Sequence, residues 1–441
     1  MTAILDHELA AHLGSYPHTI VSYVDREGYP VNVATGFRPD GYAGLVYLEP
    51  FDAPDQPGAG AEMELTFSHV RPRPGTGYDQ RRYVNVWGKV IRGDAGLAVA
   101  PERTAGWDEQ RVPFVEYCER NLARAHRYMS RLSEERGAPV RPFLPLRWRF
   151  FLATRVPFLT ATIVPILLGA VIARSHGYSA WLLTTLALLG ASCIHLGLNV
   201  LNDIFDVSSG ADVENVTPTP FSGGSRVVLY GLVGRRSMWT LALVLFALGS
   251  AIGGYLALTR ATEILWLGIA GVALAIFYTA PPLKLVYRGL GDIAVAAGFG
   301  PIMTLGSYAV VAQRVSFEAF YASLPVALLV MLILYVNQVP DRLGDERAGK
   351  RTVAVRFGRE WIIRGYDVFA AMAFALIVVG VIAGIMPVWT LLALVAAPLA
   401  LRVHSGLVAH YDEPYGVVPA LASNIALHLF TGLGLIVGYV L

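Results

Sequence analysis

Two regimes of polarity meet near Arg149. From His18 to Val90 apolar and polar positions alternate in short runs rich in Val, Tyr and Thr, broken by turns such as Asp25-Arg-Glu-Gly28 and Pro39-Asp-Gly41. A period of two with such punctuation predicts strands, and the stretch reads as a small β-barrel or sandwich. From Val112 to Arg136 the apolar positions Phe114, Val115, Cys118, Leu122, Ala125, Met129 and Leu132 fall at helical spacing opposite Arg and Glu, which predicts a helix packing on the strands. Gly137-Ala-Pro-Val-Arg-Pro142 interrupts any helix and marks a linker. The domains expected are therefore 1–140, soluble and mainly β, and 141–441.

Beyond the linker the pattern becomes a series of apolar stretches, at roughly 151–173, 181–201, 237–258, 263–280, 290–312, 318–338, 364–385, 387–402 and 418–441. Each is close to the ~20 residues that a helix needs to cross hydrocarbon. The prediction is an all-α polytopic membrane domain of about nine transmembrane helices, with the lipid bilayer as its partner.

Composition agrees: 54% hydrophobic and 15% charged residues are too apolar a mixture for a soluble enzyme of 441 residues. Loops after the even-numbered stretches carry Arg226, Arg235, Arg236, Lys284, Arg288, Arg342, Arg347, Lys350, Arg351, Arg356, Arg359 and Arg364, whereas the opposite loops carry Arg174, Arg260 and Arg314. By the positive-inside bias the former face the cytoplasm, together with the soluble domain. Met1 to Ala10 lacks a basic segment followed by an apolar core, so no signal peptide is expected. A net charge of +2 without a basic run speaks against nucleic acid. The two cysteines, Cys118 and Cys193, fall in different domains and predict no disulfide framework.

Candidate chemistry sits where apolar runs meet polar loops. Asn199, Asn202, Asp203 and Asp206, with Asp212 beyond, end the second stretch; Asn337, Asp341 and Asp345 end the sixth. Asn199, Asp203 and Asp206 share one helical face if the helix continues to Phe205, and Asn337, Asp341 and Asp345 repeat that face. Carboxylates beside lipid are costly unless compensated. Facing carboxylates suit divalent cations, and Mg2+ in particular combines one or two protein oxygens with water and phosphate. The spacing 341 − 203 = 138 suggests a duplicated unit that sets the clusters face to face. Thr217-Pro-Thr-Pro-Phe-Ser-Gly-Gly-Ser-Arg226 reads as a gate whose Ser222, Ser225 and Arg226 can donate to phosphate. Lys284 and Lys350 serve equally as phosphate ligands or as cytoplasmic anchors. His195 and His428 lie inside apolar stretches and receive no catalytic role.

These residues resemble the paired aspartate motifs of UbiA-type membrane prenyltransferases: Asn202-Asp203-x-x-Asp206 with Asp212, and Asp341-x-x-Gly-Asp345. The resemblance runs from Arg147 to Leu441 and extends to Tyr278-Thr-Ala-Pro-Pro-Leu-Lys284, Gly289-Leu-Gly-Asp292 and the stretch from Gly344 to Gly358. Thr219-Pro-Phe-Ser-Gly-Gly-Ser-Arg226 and Gly289-Leu-Gly-Asp292 are most similar to the MenA-like branch, which prenylates 1,4-dihydroxy-2-naphthoate toward menaquinone. One departure is that Glu346 directly follows Asp345, with Arg347 next.

The resemblance implies helices around a cavity opening sideways to lipid, with prenyl diphosphate and an aromatic acceptor as substrates. It implies Asp203, Asp206, Asp341 and Asp345 as metal-binding and catalytic, Tyr278 as a guide for an allylic cation, and Asn199, Asn202, Asn337, Arg226, Lys284 and Lys350 around the diphosphate. Residues Asp6 to Arg136 distantly resemble pyridoxamine-phosphate-oxidase-like split barrels, through Asp25-Arg-Glu-Gly-Tyr-Pro30 and Arg82-Tyr-Val-Asn-Val-Trp-Gly88. That resemblance implies either a flavin (FMN) or quinone redox unit or a degenerate, non-catalytic or dimerising module. Two other readings stand beside transfer: a terpene cyclase on the same scaffold, and an ion-coupled secondary transporter, which would place its polar residues nearer the bilayer centre.

Overall fold

Alternating burial along the N-terminal strands shows how the period-two pattern is used: Thr19, Val21 and Tyr23 face inward from β1, and Met63, Leu65 and Phe67 from β5. The computed structural model describes residues 5–53, 55–74, 77–93 and 96–441. The chain forms two compact units, Met1–Asn121 and Leu122–Leu441. In the first, α1 (His7–Leu13) is capped by Asp6, whose carboxylate accepts from the Leu9 amide at 2.8 Å. The strands are β1 (Thr19–Val24), β2 (Pro30–Thr35), β3 (Phe37–Asp40), β4 (Leu45–Leu48), β5 (Glu62–Arg73), β6 (Gly77–Gly93) and β7 (Gly96–Asp108). Among the described residues they make one seven-stranded sheet in the order β2-β1-β5-β6-β7-β4-β3, antiparallel at every pairing. Its core joins Leu13 and Tyr16 to Val21, Leu65, Phe67, Val86 and Val99.

The helix predicted from Val112 to Arg136 is corrected. It divides into α2 (Phe114–Arg120) and α3 (Leu122–Arg136), and no residue of either is buried. Asn121 ends α2, its side-chain amide donating to the Tyr117 carbonyl at 2.8 Å. Within the first unit α2 meets the sheet through the Phe114 and Tyr117 rings, at 5.9 and 4.7 Å from Trp107. An apolar stripe thus gave the period correctly but not the burial.

In the second unit α4 (Leu146–Thr154) precedes nine helices which, among the described residues, are long and apolar enough to cross a membrane. These are α5 (Val156–Ser175), α6 (Trp181–Ser209), α8 (Arg235–Thr259), α9 (Thr262–Thr279), α10 (Gly291–Ala312), α11 (Phe317–Arg347), α12 (Arg359–Ile382), α13 (Val388–His410) and α14 (Val418–Val440), with a short α7 (Ala211–Glu214) after α6. The second and sixth of the nine run past their expected ends at 201 and 338, the second to the left-handed Gly210 and the sixth through Pro340 to Ala348. The eighth also outruns its expected end at 402, reaching His410 after a 3-10 start over Val388–Ala396. Helix α10 contains a π-turn, Gly298–Ile302, around Pro301. The core is built where α5, α11 and α14 bury Val164, Leu168, Ile172, Val326 and Leu435. Close approach is enforced at Gly169, where a Cβ would stand 2.3 Å from the Thr304 carbonyl of α10.

Candidate active site

The extra turns of α6 and α11 carry both acidic clusters on regular helix, so the face-sharing condition for Asn199, Asp203 and Asp206 is met. Asp203, 1% exposed, accepts from Arg155 at 2.5 Å, from the Ser225 amide at 3.2 Å and from the Ser225 hydroxyl. Asp341 of α11 accepts from the Asn215 side-chain amide at 2.8 Å and from the Gly223 amide at 3.0 Å. Gly223 and Ser225 are separated by a single residue, and three consecutive Cα atoms span at most about 7 Å. The loop therefore binds both clusters to one hollow. Lys350 closes it from another side, with Nζ 3.2 Å from Asp206 and 3.5 Å from Asp345.

Burial opposes the charge on Lys350, yet Asp206 and Asp345 outweigh it and hold the ammonium well above the usual lysine range. Burial raises the Asp212 carboxyl well above the usual range, and the neighbouring charges of Asp206 and Asp203 add to that. An anionic group entering this hollow meets a fixed ammonium and a fixed guanidinium rather than mobile surface charge.

The remaining sequence candidates fall into two groups. Asn202 donates to Asp206 at 3.0 Å, and Tyr278 lines the cavity beneath the hollow. Lys284 is exposed, its Nζ 5.5 Å from the centre of the Tyr287 ring. Asn199 instead donates to the Thr154 carbonyl at 2.9 Å, tying α6 to the end of α4. Arg226 is buried and donates to the Asp212 and Asn215 carbonyls, so it braces the loop that was read as a gate. Asn337 is half-buried and has no hydrogen bond to any described side chain.

Three participants escaped the sequence reading. Tyr287 donates to Asp206 at 2.9 Å, shares a 2.6 Å hydrogen bond with Ser209 and lies 5.5 Å beneath Lys350. Asn215 bridges to Asp341. Arg155 carries the guanidinium at Asp203, and its signal was visible: it fell inside the expected 151–173 span, where an arginine demands a partner.

Magnesium takes one or two protein carboxylates and completes its shell with water and phosphate oxygens. Among the described residues no group of three His, Cys, Asp or Glu could hold an ion alone. The hollow fits the sparser demand of magnesium: carboxylates stand on two helices, and Asn202 Oδ1 and Asp212 Oδ2 are buried without a hydrogen-bond partner. Beneath it lies an apolar cavity of about 590 Å³, walled by α6, α8, α9 and α10 and including Gly190, His195, Gly249, Tyr278 and Phe299.

A family model for the UbiA prenyltransferase family matches residues 162–416. The 1,4-dihydroxy-2-naphthoate octaprenyltransferase of Bacillus subtilis is 25% identical over 276 residues, covering 62% of this chain and 87% of that protein. The protein of the same name from Mycobacterium tuberculosis is 34% identical over 224 residues, covering 51% and 74%. A solved structure of a UbiA homolog from Aeropyrum pernix K1 aligns with a TM-score of 0.46 at 17% identity, covering 67% of this chain and 99% of that one.

Proposed function

The chain belongs to the UbiA prenyltransferase family, and from that membership we propose that this integral membrane prenyltransferase moves a polyprenyl group from an allylic prenyl diphosphate to 1,4-dihydroxy-2-naphthoate, using Mg2+. The observation that carries the reading is the meeting of two carboxylate clusters, a lysine and an arginine in one hollow directly above an apolar cavity. The names of the relatives support the acceptor. The arginine and lysine asymmetry of the loops supports a cytoplasmic hollow and soluble unit.

Asp203 and Asp206 on α6, with Asp341 and Asp345 on α11, would hold magnesium, whose contribution when bound is to neutralise the diphosphate and improve it as a leaving group. Lys350 and Arg155 hold phosphate oxygens by charge-assisted hydrogen bonds, and Lys284 adds a cation at the rim. As the C1–O bond of the prenyl ester breaks, the electron pair leaves with diphosphate and positive charge spreads over the allyl group. The Tyr278 ring face stabilises that charge, while the apolar walls exclude water that would capture it. The electron-rich ring supplies the pair for the new C–C bond, and loss of its carboxylate as carbon dioxide restores aromaticity.

Purified full-length protein, given Mg2+, geranylgeranyl or longer diphosphate and dihydroxynaphthoate, is expected to release diphosphate and form a prenylated ring. Diphosphate release unchanged by omitting the acceptor, with a cyclised hydrocarbon as product, would identify a cyclase instead.

A further inference from the structure

We propose that His195 orients the acceptor, donating a hydrogen bond from Nε2 to a ring hydroxyl; this rests on the prenyl-transfer reading above. His195 is buried on α6, yet it lies on the cavity wall. Its neighbours there are largely aliphatic or glycine, so a polar donor among them is conspicuous. Pockets of this kind take affinity from their apolar surface and orientation from a few placed polar groups.

The ring is held from two sides. Nδ1 lies 2.8 Å from the hydroxyl of Thr162 on α5, and the Phe299 ring from the π-turn of α10 meets the imidazole edge-on, with centroids 4.6 Å apart and planes at 72°. Thr162 is fully buried and has no other side-chain hydrogen bond among the described residues. With the Thr162 hydroxyl donating to Nδ1, a neutral imidazole carries its proton on Nε2. No described residue hydrogen-bonds to Nε2. Unlike the wholly buried His428, His195 lies on the cavity wall, where a bound ring can supply the partner.

Position along the helix agrees with that role. Asp203 follows His195 by eight residues, which at helical rise is about 12 Å. A diphosphate, the bond to be broken and one bicyclic ring fill such a distance, so the imidazole stands where the far edge of the acceptor lies when its reacting carbon faces C1 of the prenyl group. A ring hydroxyl buried there without a donor would lose the hydrogen bonds it makes in water.

The test is steady-state kinetics on full-length protein, with acceptor and diphosphate varied separately. His195→Leu is expected to raise the acceptor KM about tenfold, the effect of one hydrogen bond, while the diphosphate KM stays within about twofold. His195→Gln, which keeps a donor, is expected to recover most of the loss. An acceptor lacking the bound hydroxyl is expected to be about tenfold poorer for the wild type, yet scarcely poorer than the full acceptor for His195→Leu. Thr162→Val, which frees the ring without removing it, shifts the acceptor KM in the same direction and serves if His195→Leu does not fold. Equal shifts in both KM values, or the same analogue penalty in wild type and variants, overturn the proposal. A wild-type protein that prenylates no aromatic ring refutes the transfer reading itself, a distinct outcome because it needs no variant.

Discussion

Arg155 reaches Asp203 at 2.5 Å from a left-handed residue, φ 53°, that joins α4 to α5. The turn redirects the chain at the membrane boundary and aims a guanidinium at a carboxylate 48 residues away. Asp203 is nearly inaccessible while Arg155 keeps a fifth of its side chain exposed, so the pair is closer to a buried ion pair than to a surface one.

Removing one member of such a pair leaves an uncompensated charge. Arg155→Ala is expected to lower stability by about 3 kcal/mol, read as a fall in the thermal unfolding midpoint in detergent. The double variant with Asp203→Asn should lose less than the sum of the single losses. Strict additivity would show the two groups to be uncoupled.

Asp203→Asn and Asp341→Asn keep the side-chain shape but remove the charge on each side of the hollow. Each is expected to reduce prenyl transfer by about a hundredfold or more, with membrane insertion unchanged. Diphosphate release at saturating magnesium is the readout. Full activity in either variant would remove that cluster from the chemistry.

The loop that touches both clusters depends on Gly224. Its φ is +75°, and a Cβ there would stand 2.4 Å from Asp212 Oδ2. Gly224→Ala is therefore opposed both by backbone conformation and by space, with an expected stability loss of about 1–3 kcal/mol and a larger fractional loss of turnover, because Ser225 and Gly223 are displaced from their carboxylates. Comparing activity per folded molecule with the unfolding midpoint separates the two effects.

In the N-terminal unit the Arg81 hydrogen bond to Glu109 holds the Glu109 carboxyl below its ordinary 4.5. A group depressed on folding contributes stability above its unfolded value, and the contribution disappears as pH falls through the folded value. Unfolding of the N-terminal unit, followed by Trp fluorescence, is expected at lower temperature as pH drops below about 4.5. Glu109→Gln should flatten that dependence and cost less than about 1 kcal/mol at neutral pH, the pair being partly exposed. An unchanged acid slope in the variant would assign the effect to other carboxylates, foremost Asp79, whose pKa the Arg71 hydrogen bond lowers to about 2.

Much of the membrane unit was legible because lipid imposes a length and a composition on each helix. The acidic helix ends stood out for the same reason, since Asp203, Asp206, Asp341 and Asp345 are expensive where they lie. Composition does not register pairing across distant segments. Nothing in the sequence singles out Tyr287 or Asn215, which the fold brings to Asp206 and Asp341. Arg226 shows the same limit: the sequence marks it as a cation in a glycine-rich loop, not as a buried donor to the carbonyls of Asp212 and Asn215 that precede that loop. In α3 helical periodicity was read as burial, although a stripe of Leu and Met states only which face is apolar and not that anything covers it.

Lys350 is one ammonium shared between carboxylates of two different helices. On the proposed reading, groups held by that shared grip already point where a diphosphate would lie, so little rearrangement of protein charge would remain when its bond breaks. A shared counterion of this kind acts as a keystone: losing that one ammonium strips a cation from a carboxylate on each of the two helices at once.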